Sequence, residues 1–427
     1  MEGSKKKAKM KVVIATAVYY PQINGVAVFS HNLAMGLARR GLEVLVICPS
    51  QTGKNYTRTV DGVKTVYLKS VQARVYPDQI HPLPQKKKIL GLKVPTLFYR
   101  HGFRVSVFPQ REIKKALDRF GPDVVHVQVS DPIGLSVVSY ARKRGIPVVT
   151  TEHNQPEVLT SSFKIPELMK KPFNALLYSY FRNRQSKSDF VTMPTKQAID
   201  NLLREHGLGV PVAAISNGVD LTNFRPGKAA PAIYEKFGIS KDKQKVLYVG
   251  RIDPEKRVET VIRAFKRARK FVPNAELIIV GDGVDKARLE QMYAGDDAGI
   301  RFLGRVLPPD LYELYRVGDV FATASEIETQ GIVLIEAAAV GLPLIAVDGG
   351  AVKEVCINGR NGFLCRPRDE EQISEAIVKL LGDDKLCKKF SGASLEIAKE
   401  HDFETTLDRF INIYDGLISG KIKTRHH

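Results

Sequence analysis

"QKVLYVGRIDPEKRVETVIRAF" (Gln244–Phe265) reads as a strand, a turn and a helix. Val246 to Val249 form an uninterrupted apolar run, as expected of a strand covered on both faces. The strand ends at Gly250 and the helix begins near Lys256 or Arg257. The same alternation continues with "AELIIVGDG" (Ala275–Gly283), "IRFLGRV" (Ile300–Val306), "DVFATAS" (Asp319–Ser325) and "LPLIAVDGG" (Leu342–Gly350). Short apolar strands separated by helices argue for a parallel, doubly wound sheet.

Working back toward the N-terminus, "VPVAAISNGVDLTNFRPGKAAP" (Val210–Pro231) holds turn residues, prolines and an Ala/Gly-rich tail, and reads as a domain boundary. Before it lies a first series: "KVVIATA" from Lys11, a helix over Ser30–Arg40 stopped at Gly41, "EVLVICP", "PDVVHVQV", "IPVVTTEH" and "DFVTMP", with helical stretches at 133–144 and 165–185. The expected architecture is α/β: two doubly wound, Rossmann-like parallel-sheet domains. The divisions are a basic tail (1–10), a first domain (11–212), a second (213–402) and a C-terminal segment (403–427) able to cross back onto the first. Ligands of such sheets sit beyond the carboxyl ends of the strands, so a deep cleft between the domains is the expected site.

The bulk properties narrow the class. The 427 residues are 44% hydrophobic and 26% charged, a soluble globular composition, and no apolar run reaches the ~20 residues of a spanning helix. The start, "MEGSKKKAKMKVVIATAVYY", has a basic head, but its apolar part is short and runs straight into the first strand, so export is not expected. Cys48, Cys356, Cys365 and Cys387 lack metal-ligand spacing and fit a reducing cytoplasm. A net charge of +19 points to an anionic partner, although a solvated basic surface gives the same number. Around residues 86–104, Lys86, Lys87, Lys88, Lys93, Arg100 and Arg104 interleave with Ile89, Leu90, Leu92, Leu97, Phe98, Tyr99 and Phe103. That mixture suits an anionic membrane surface, and equally an ordinary insertion with a basic side.

Several residues carry chemistry. Arg251 and Lys256 flank a turn at a helix N-terminus, which already favours anions, and together suit a diphosphate. Taken alone they also fit surface cations at a turn. Gly281 and Gly283 follow a strand and permit close backbone approach to a ligand, or form a plain strand-to-helix turn. Val306 ends another strand that could border a base. In "SEIETQGIVLIEAAAVGLPL" (Ser325–Leu344), a single helix would set Glu328 and Glu336 about 12 Å apart, too far for a close acid/base pair. A loop followed by a helix is the better reading: Gly331 opens it, Gly341 ends it and Pro343 prevents continuation. The amides around Gln330–Val333 then form a partly positive helix end. Glu336, one turn in and among apolar neighbours, should accept from vicinal hydroxyls, as carboxylates do with ribose, or else pair with a buried cation. In the first domain, Gly25 lies in a loop where amides can approach a phosphate. His126 and His153 lie near cleft-facing strand ends. No P-loop and no nucleic-acid motif occurs, and no nucleic-acid partner is expected.

These motifs resemble the retaining family 4 glycosyltransferases of GT-B fold, from "YPQINGV" through "ISNGVDLTNFRP", "VGRIDPEKR", "VGDG" and "LGRV" to "ETQGIVLIEAAAVGLPLIAVDGG" and "NGRNGFLCRP". The resemblance implies an acceptor-binding first domain and a second that binds a nucleotide-sugar. Arg251 and Lys256 would bind the diphosphate, Glu336 the ribose, and Glu328 the donor sugar. Amides at Gln330, Gly331 and Ile332 would lie beside sugar and phosphate, Gly25 near the phosphate, and His126 near the reacting centre. No metal is implied, because cations and helix ends stabilise the leaving group. Thr329-Gln330-Gly331 stands where many members carry Phe-Gly, and Asn24-Gly25 where many carry Gly-Gly. "ETQG" with the basic aromatic insertion resembles the branch that glucosylates diacylglycerol. The resemblance thus implies transfer of glucose from UDP-glucose to a lipid acceptor, by a peripheral enzyme on the cytoplasmic membrane face. A GDP-mannose-dependent transferase acting on an inositol lipid or soluble acceptor is the alternative, and a sugar-nucleotide epimerase of the same fold fits less well.

Overall fold

The computed structural model describes residues 9–20, 24–72, 88–89, 92–93, 104–128, 131–153, 156, 167–203, 207–293 and 299–423. The chain divides into two compact units: Met1–Asn154, Lys171–Ile215 and Leu407–His427 in one, Gln155–Lys170 and Ser216–Thr406 in the other.

The first unit is built on an eight-stranded sheet. Its strands are β1 (Lys11–Ala15), β2 (Glu43–Pro49), β3 (Tyr56–Val60), β4 (Val63–Leu68), β9 (Val124–Val127), β10 (Val148–Thr151), β11 (Phe190–Met193) and β12 (Val212–Ala214), and the order is β12-β11-β10-β9-β1-β2-β4-β3. Two small antiparallel pairs lie apart from it: β5 (Ser70–Gln72) with β8 (Arg104–Ser106), and β6 (Lys88–Ile89) with β7 (Leu92–Lys93). β1 is central, pairing in parallel with β2 (Ile14 opposite Val46) and β9 (Ile14 opposite His126). Val12, Val13, Ile14 and Ala15 are fully buried, as a strand covered on both faces requires.

The sheet departs from the expected all-parallel form at one edge, where β3 runs antiparallel to β4. Asp61 (φ 47°) and Gly62 (φ 83°) join them, the two successive positive-φ residues of a type I′ hairpin. The first helix also begins earlier than expected. It spans Gly25–Arg39 because the Asn24 side chain accepts from the Ala27 amide (2.9 Å), so Gly25 is a helical residue and not part of a loop. Of the basic stretch 86–104, most lies outside the described residues. Arg104, at its end, donates to the Ser70 hydroxyl (2.9 Å) and carbonyl (3.0 Å).

The second unit has six parallel strands: β13 (Gln244–Val249), β14 (Ala275–Val280), β15 (Ile300–Gly304), β16 (Val320–Ala322), β17 (Leu344–Val347) and β18 (Gly362–Cys365). Their order, β15-β14-β13-β16-β17-β18, is the 3-2-1-4-5-6 sequence of a dinucleotide-binding sheet. Side chains alternate across it. Leu247 and Val249 pack on one face against Phe321 and Leu334, while Val246 and Tyr248 pack on the other against Ile262 and Phe265. The order reverses between β13 and β16, and that is where such sheets open a crevice.

Past the strands, the chain after β13 lies directly on the chain after β14. The Gly250 amide donates to Val280 O (3.0 Å) and the Ile252 amide to Asp282 O (2.9 Å). A Cβ on Gly281 (φ 147°) would stand 1.8 Å from Gly250 O, and one on Gly283 2.3 Å from Ile252 O. Gly281→Ala is therefore expected to cost about 3 kcal/mol or more, at the upper end of overpacking changes, because the obstacle is backbone that cannot swing aside. Urea unfolding of the variant beside the parent measures it.

Candidate functional site

The switch point of the second unit gathers four of the residues singled out in the sequence. Arg251 follows β13, Lys256 closes the short 3-10 turn Pro254–Lys256, and Glu328 and Gln330 lie in the loop after β16. Arg257, at φ 52°, turns the chain from that 3-10 turn into helix Val258–Ala268. Lys256 Nζ donates to Glu328 Oε1 at 2.6 Å, and Ser325 Oγ lies 3.5 Å from the same ammonium. Both side chains of the pair are shielded, 17% and 16% exposed, so screening by salt is weak. Arg251 points its guanidinium at Asp253 and at Glu255 (2.9 Å), and its carbonyl accepts from the Tyr248 hydroxyl (2.7 Å). Burial alone would lower the Arg251 pKa, but Asp253, Glu255 and Glu328 outweigh it and raise the value. Each cation expected to hold a diphosphate is thus held by carboxylates of its own chain.

Glu326, a third glutamate in the same loop, is drawn outward by Arg257 (3.2 Å) and Arg368 (2.8 Å). Burial opposes ionisation there, yet the two arginines hold its carboxyl below the ordinary range. The loop's position comes from glycines whose role was not evident in the sequence. A Cβ on Gly349 would fall 2.4 Å from Glu326 O, and one on Gly350 2.5 Å from Glu328 O, while the Ala351 amide donates to Glu328 O (3.0 Å).

Helix Ile332–Ala339 begins as expected at Gly331, which takes φ 76°. The N-cap glycine offers no side chain to this end, and none of the described residues is seen to cap it. Its first amides remain available to an anion, with the partial positive charge of the helix end behind them. Glu336 lies one turn further, and its partner is a phenol: the Tyr315 hydroxyl donates to Oε2 at 2.5 Å. No ion pair to Glu336 occurs among the described residues, so the buried-cation alternative does not hold there. Burial pushes its pKa up to about 7, with the Tyr315 bond pulling the other way.

Gln330 does something the sequence did not suggest. Only 3% exposed, it donates from Nε2 to Ser216 Oγ (2.6 Å) and accepts at Oε1 from the Asn217 amide (3.1 Å). Ser216 Oγ also meets His401 Nδ1 (2.9 Å) and the Gly218 amide (3.1 Å). Gln330 therefore clasps the start of the second unit, a pairing that nothing local in the sequence marks.

Other expected residues stand differently. Gly281 and Gly283 do permit close approach, but what fills the space is the backbone of 250–253, not an opening for a ligand. Val306, beyond β15, packs against the core together with Leu303. In the first unit, His126 is the penultimate residue of β9 and is fully buried, not open to a cleft. Its Nδ1 meets the Tyr414 hydroxyl (2.6 Å) and its Nε2 the Thr151 hydroxyl (2.7 Å), and burial lowers its pKa to about 3. Both ring nitrogens of a neutral imidazole are thereby used inside the fold. His153 Nε2 meets Gln128 Oε1 at 2.9 Å. Among the described residues no group of three or more His, Cys, Asp or Glu is placed to hold a metal ion, and no helix is long and apolar enough to cross a membrane.

Two doubly wound units, one with cations and an uncapped helix end at its switch point, define the GT-B class of nucleotide-sugar enzymes. The family "Glycosyltransferase Family 4" matches residues 23–223, and "Glycosyl transferases group 1" matches residues 230–396. The chain is 30% identical over 379 residues to a GDP-mannose-dependent alpha-mannosyltransferase of Mycobacterium tuberculosis, covering 87% of this chain and 88% of that one. It is 28% identical over 374 residues to an alpha-monoglucosyldiacylglycerol synthase of Acholeplasma laidlawii, covering 84% and 86%. The sucrose-phosphate synthase of Thermosynechococcus elongatus shares the fold with a TM-score of 0.74 at 19% identity, over 96% of this chain and 100% of that one. The chain belongs to the GT-B glycosyltransferases that these two family descriptions cover.

Two outcomes check this geometry. The folded Glu336 carboxyl holds its proton more tightly than an unfolded glutamate, so its contribution is fully present below about pH 4.5 and is lost as pH rises through about 7. Glu336→Gln should therefore melt close to the parent at pH 5 and above it at pH 8; an equal gap at both pH values contradicts the shift. Gln330→Ala leaves a buried hydroxyl and amide short of a partner and should cost about 1–3 kcal/mol in urea unfolding.

Proposed function

We propose that this glycosyltransferase moves a hexose, with retention, from UDP-glucose to a lipid acceptor such as diacylglycerol or a glycolipid. The observation that carries the donor part is the shielded Lys256–Glu328 pair beside the uncapped end of helix Ile332–Ala339. An arriving diphosphate competes with Glu328 for Lys256. The ammonium turns to the phosphate, and Glu328 is released to accept from hydroxyls of the donor sugar. Arg251 exchanges its carboxylates for phosphate oxygens in the same way. As the sugar–phosphate bond breaks, charge accumulates on the leaving diphosphate, where Arg251, Lys256 and the amides of Gln330, Gly331 and Ile332 oppose it. Glu336 accepts from the ribose hydroxyls, oriented by Tyr315. Gly25, at the start of its helix, offers amides to phosphate. His126 acts only through its neighbours, with its nitrogens already engaged.

The lipid acceptor is supported by the likeness to the monoglucosyldiacylglycerol synthase and by the basic, aromatic composition of 86–104, which suits the cytoplasmic face of a membrane. A second reading, GDP-mannose as donor, is favoured by the 30% identity to the mannosyltransferase. Thermal shift with UDP and with GDP separates the two donors. Incubation with UDP-glucose and diacylglycerol in anionic vesicles, followed by mass spectrometry, tests the acceptor, and absence of glycolipid would sink that assignment. Glu336→Ala should lower kcat/KM for the donor about 10- to 100-fold, the effect of losing hydrogen bonds to a charged acceptor. Its circular dichroism should stay that of the parent; full activity would remove Glu336 from the ribose.

A further inference from the structure

The first unit contains a cavity of about 550 Å³ that shares no residue with the donor site. Val127 of β9 and Thr150 of β10 form its floor. Helix Pro132–Arg142 supplies one wall, and the end of helix Glu167–Gln185 supplies the other. Arg142, Lys143, Arg184 and Lys187 line it, without any Asp or Glu. Arg142 donates to the Lys187 carbonyl (2.8 Å), which ties the rim together. Arg184 lies over the Tyr180 ring, 5.0 Å from its centroid, yet its Nε is shielded from solvent and has no hydrogen-bond partner. A buried donor on a permanent cation is costly to leave unpaired, and an anionic oxygen would satisfy it. The nearby Thr150 and Ser188 hydroxyls bond to each other at 2.7 Å. No ion pair to Lys143, Arg184 or Lys187 occurs among the described residues, so no carboxylate there neutralises the three charges.

The approach to this cavity is apolar. Leu176, Tyr180 and Arg184 follow one another at i, i+4 and i+8 and share a helix face. Leu176 is 65% exposed and Tyr180 41%, and Leu135 continues the apolar character inside. A cationic end reached along an exposed apolar strip suits a ligand with an anionic head and an apolar body.

We propose that this cavity binds the phosphate of an anionic amphiphile, a phosphomonoester lipid headgroup, through Arg184, Lys143 and Lys187. None of these residues is assigned to the donor, so this site and the donor assignment fail or stand separately. The test is calorimetric titration of the full chain with dihexanoylphosphatidic acid, inorganic phosphate and dihexanoylphosphatidylcholine. Expected is saturable binding of the phosphatidic acid, at least tenfold tighter than of inorganic phosphate or the choline lipid. Arg184→Gln, and separately Lys143→Gln with Lys187→Gln, should each weaken it at least tenfold while melting as the parent does. The paired lysine change involves exposed side chains, so it remains informative if Arg184→Gln fails to fold. No saturable binding, variants that bind like the parent, or equal affinity for phosphatidic acid and inorganic phosphate would each overturn the proposal.

Discussion

The carbonyl oxygen of Gly250 occupies the place where a side chain on Gly281 would have to begin. That contact sets the spacing between the carboxyl ends of β13 and β14. It lets the turn after β13 lie on the turn after β14, and it thereby fixes where Arg251 and Lys256 leave the sheet. Gly349 and Gly350 do the same for the loop after β16, holding Glu326 and Glu328 by backbone contact. Cations and carboxylates in this region are long and adaptable, whereas the frame that presents them is backbone against backbone, which has almost no freedom to adjust.

Electrostatically the region is closed upon itself. Lys256 holds Glu328, Arg251 holds Asp253 and Glu255, and Glu326 is held by two further arginines. Glu336 differs because its partner is neutral. Two carboxylates in one loop-and-helix segment thus have different environments: Glu328 is balanced by a cation, and Glu336 is desolvated beside a phenol. Environment, rather than residue type, distinguishes them.

Much of this was legible in the sequence. Buried runs such as "KVVIA" and "LIAV" announce their strands, because a parallel strand covered on both faces is mostly apolar. Gly331 and Gly341 marked both ends of their helix. The β3–β4 hairpin is nearly silent in the sequence: β3 is largely exposed and polar, and its one signal is Asp61-Gly62. The first helix starts before the expected Ser30, since the capping bond of Asn24 outweighs the weak helix preference of Gly25. Long-range partners were not legible at all. Tyr315 meets Glu336 across 21 positions, and Gln330 reaches Ser216 across 114. Nothing local marks either pairing. His126 looked like a strand-end histidine, but its partner Tyr414 arrives from 288 residues away.

Ser216 opens the main segment of the second unit and Thr406 closes it, and the Thr406 hydroxyl donates to the Ser216 carbonyl at 3.0 Å. Beside them Val219 and Asp402 form a parallel bridge. Some 190 residues of chain therefore begin and end at one point. In architectural terms the segment is an insertion with touching ends. Such a segment can be joined end to end by a short linker, or opened at an exposed turn, without stretching any strand. The segment is in this sense a module whose two ends are fastened to each other.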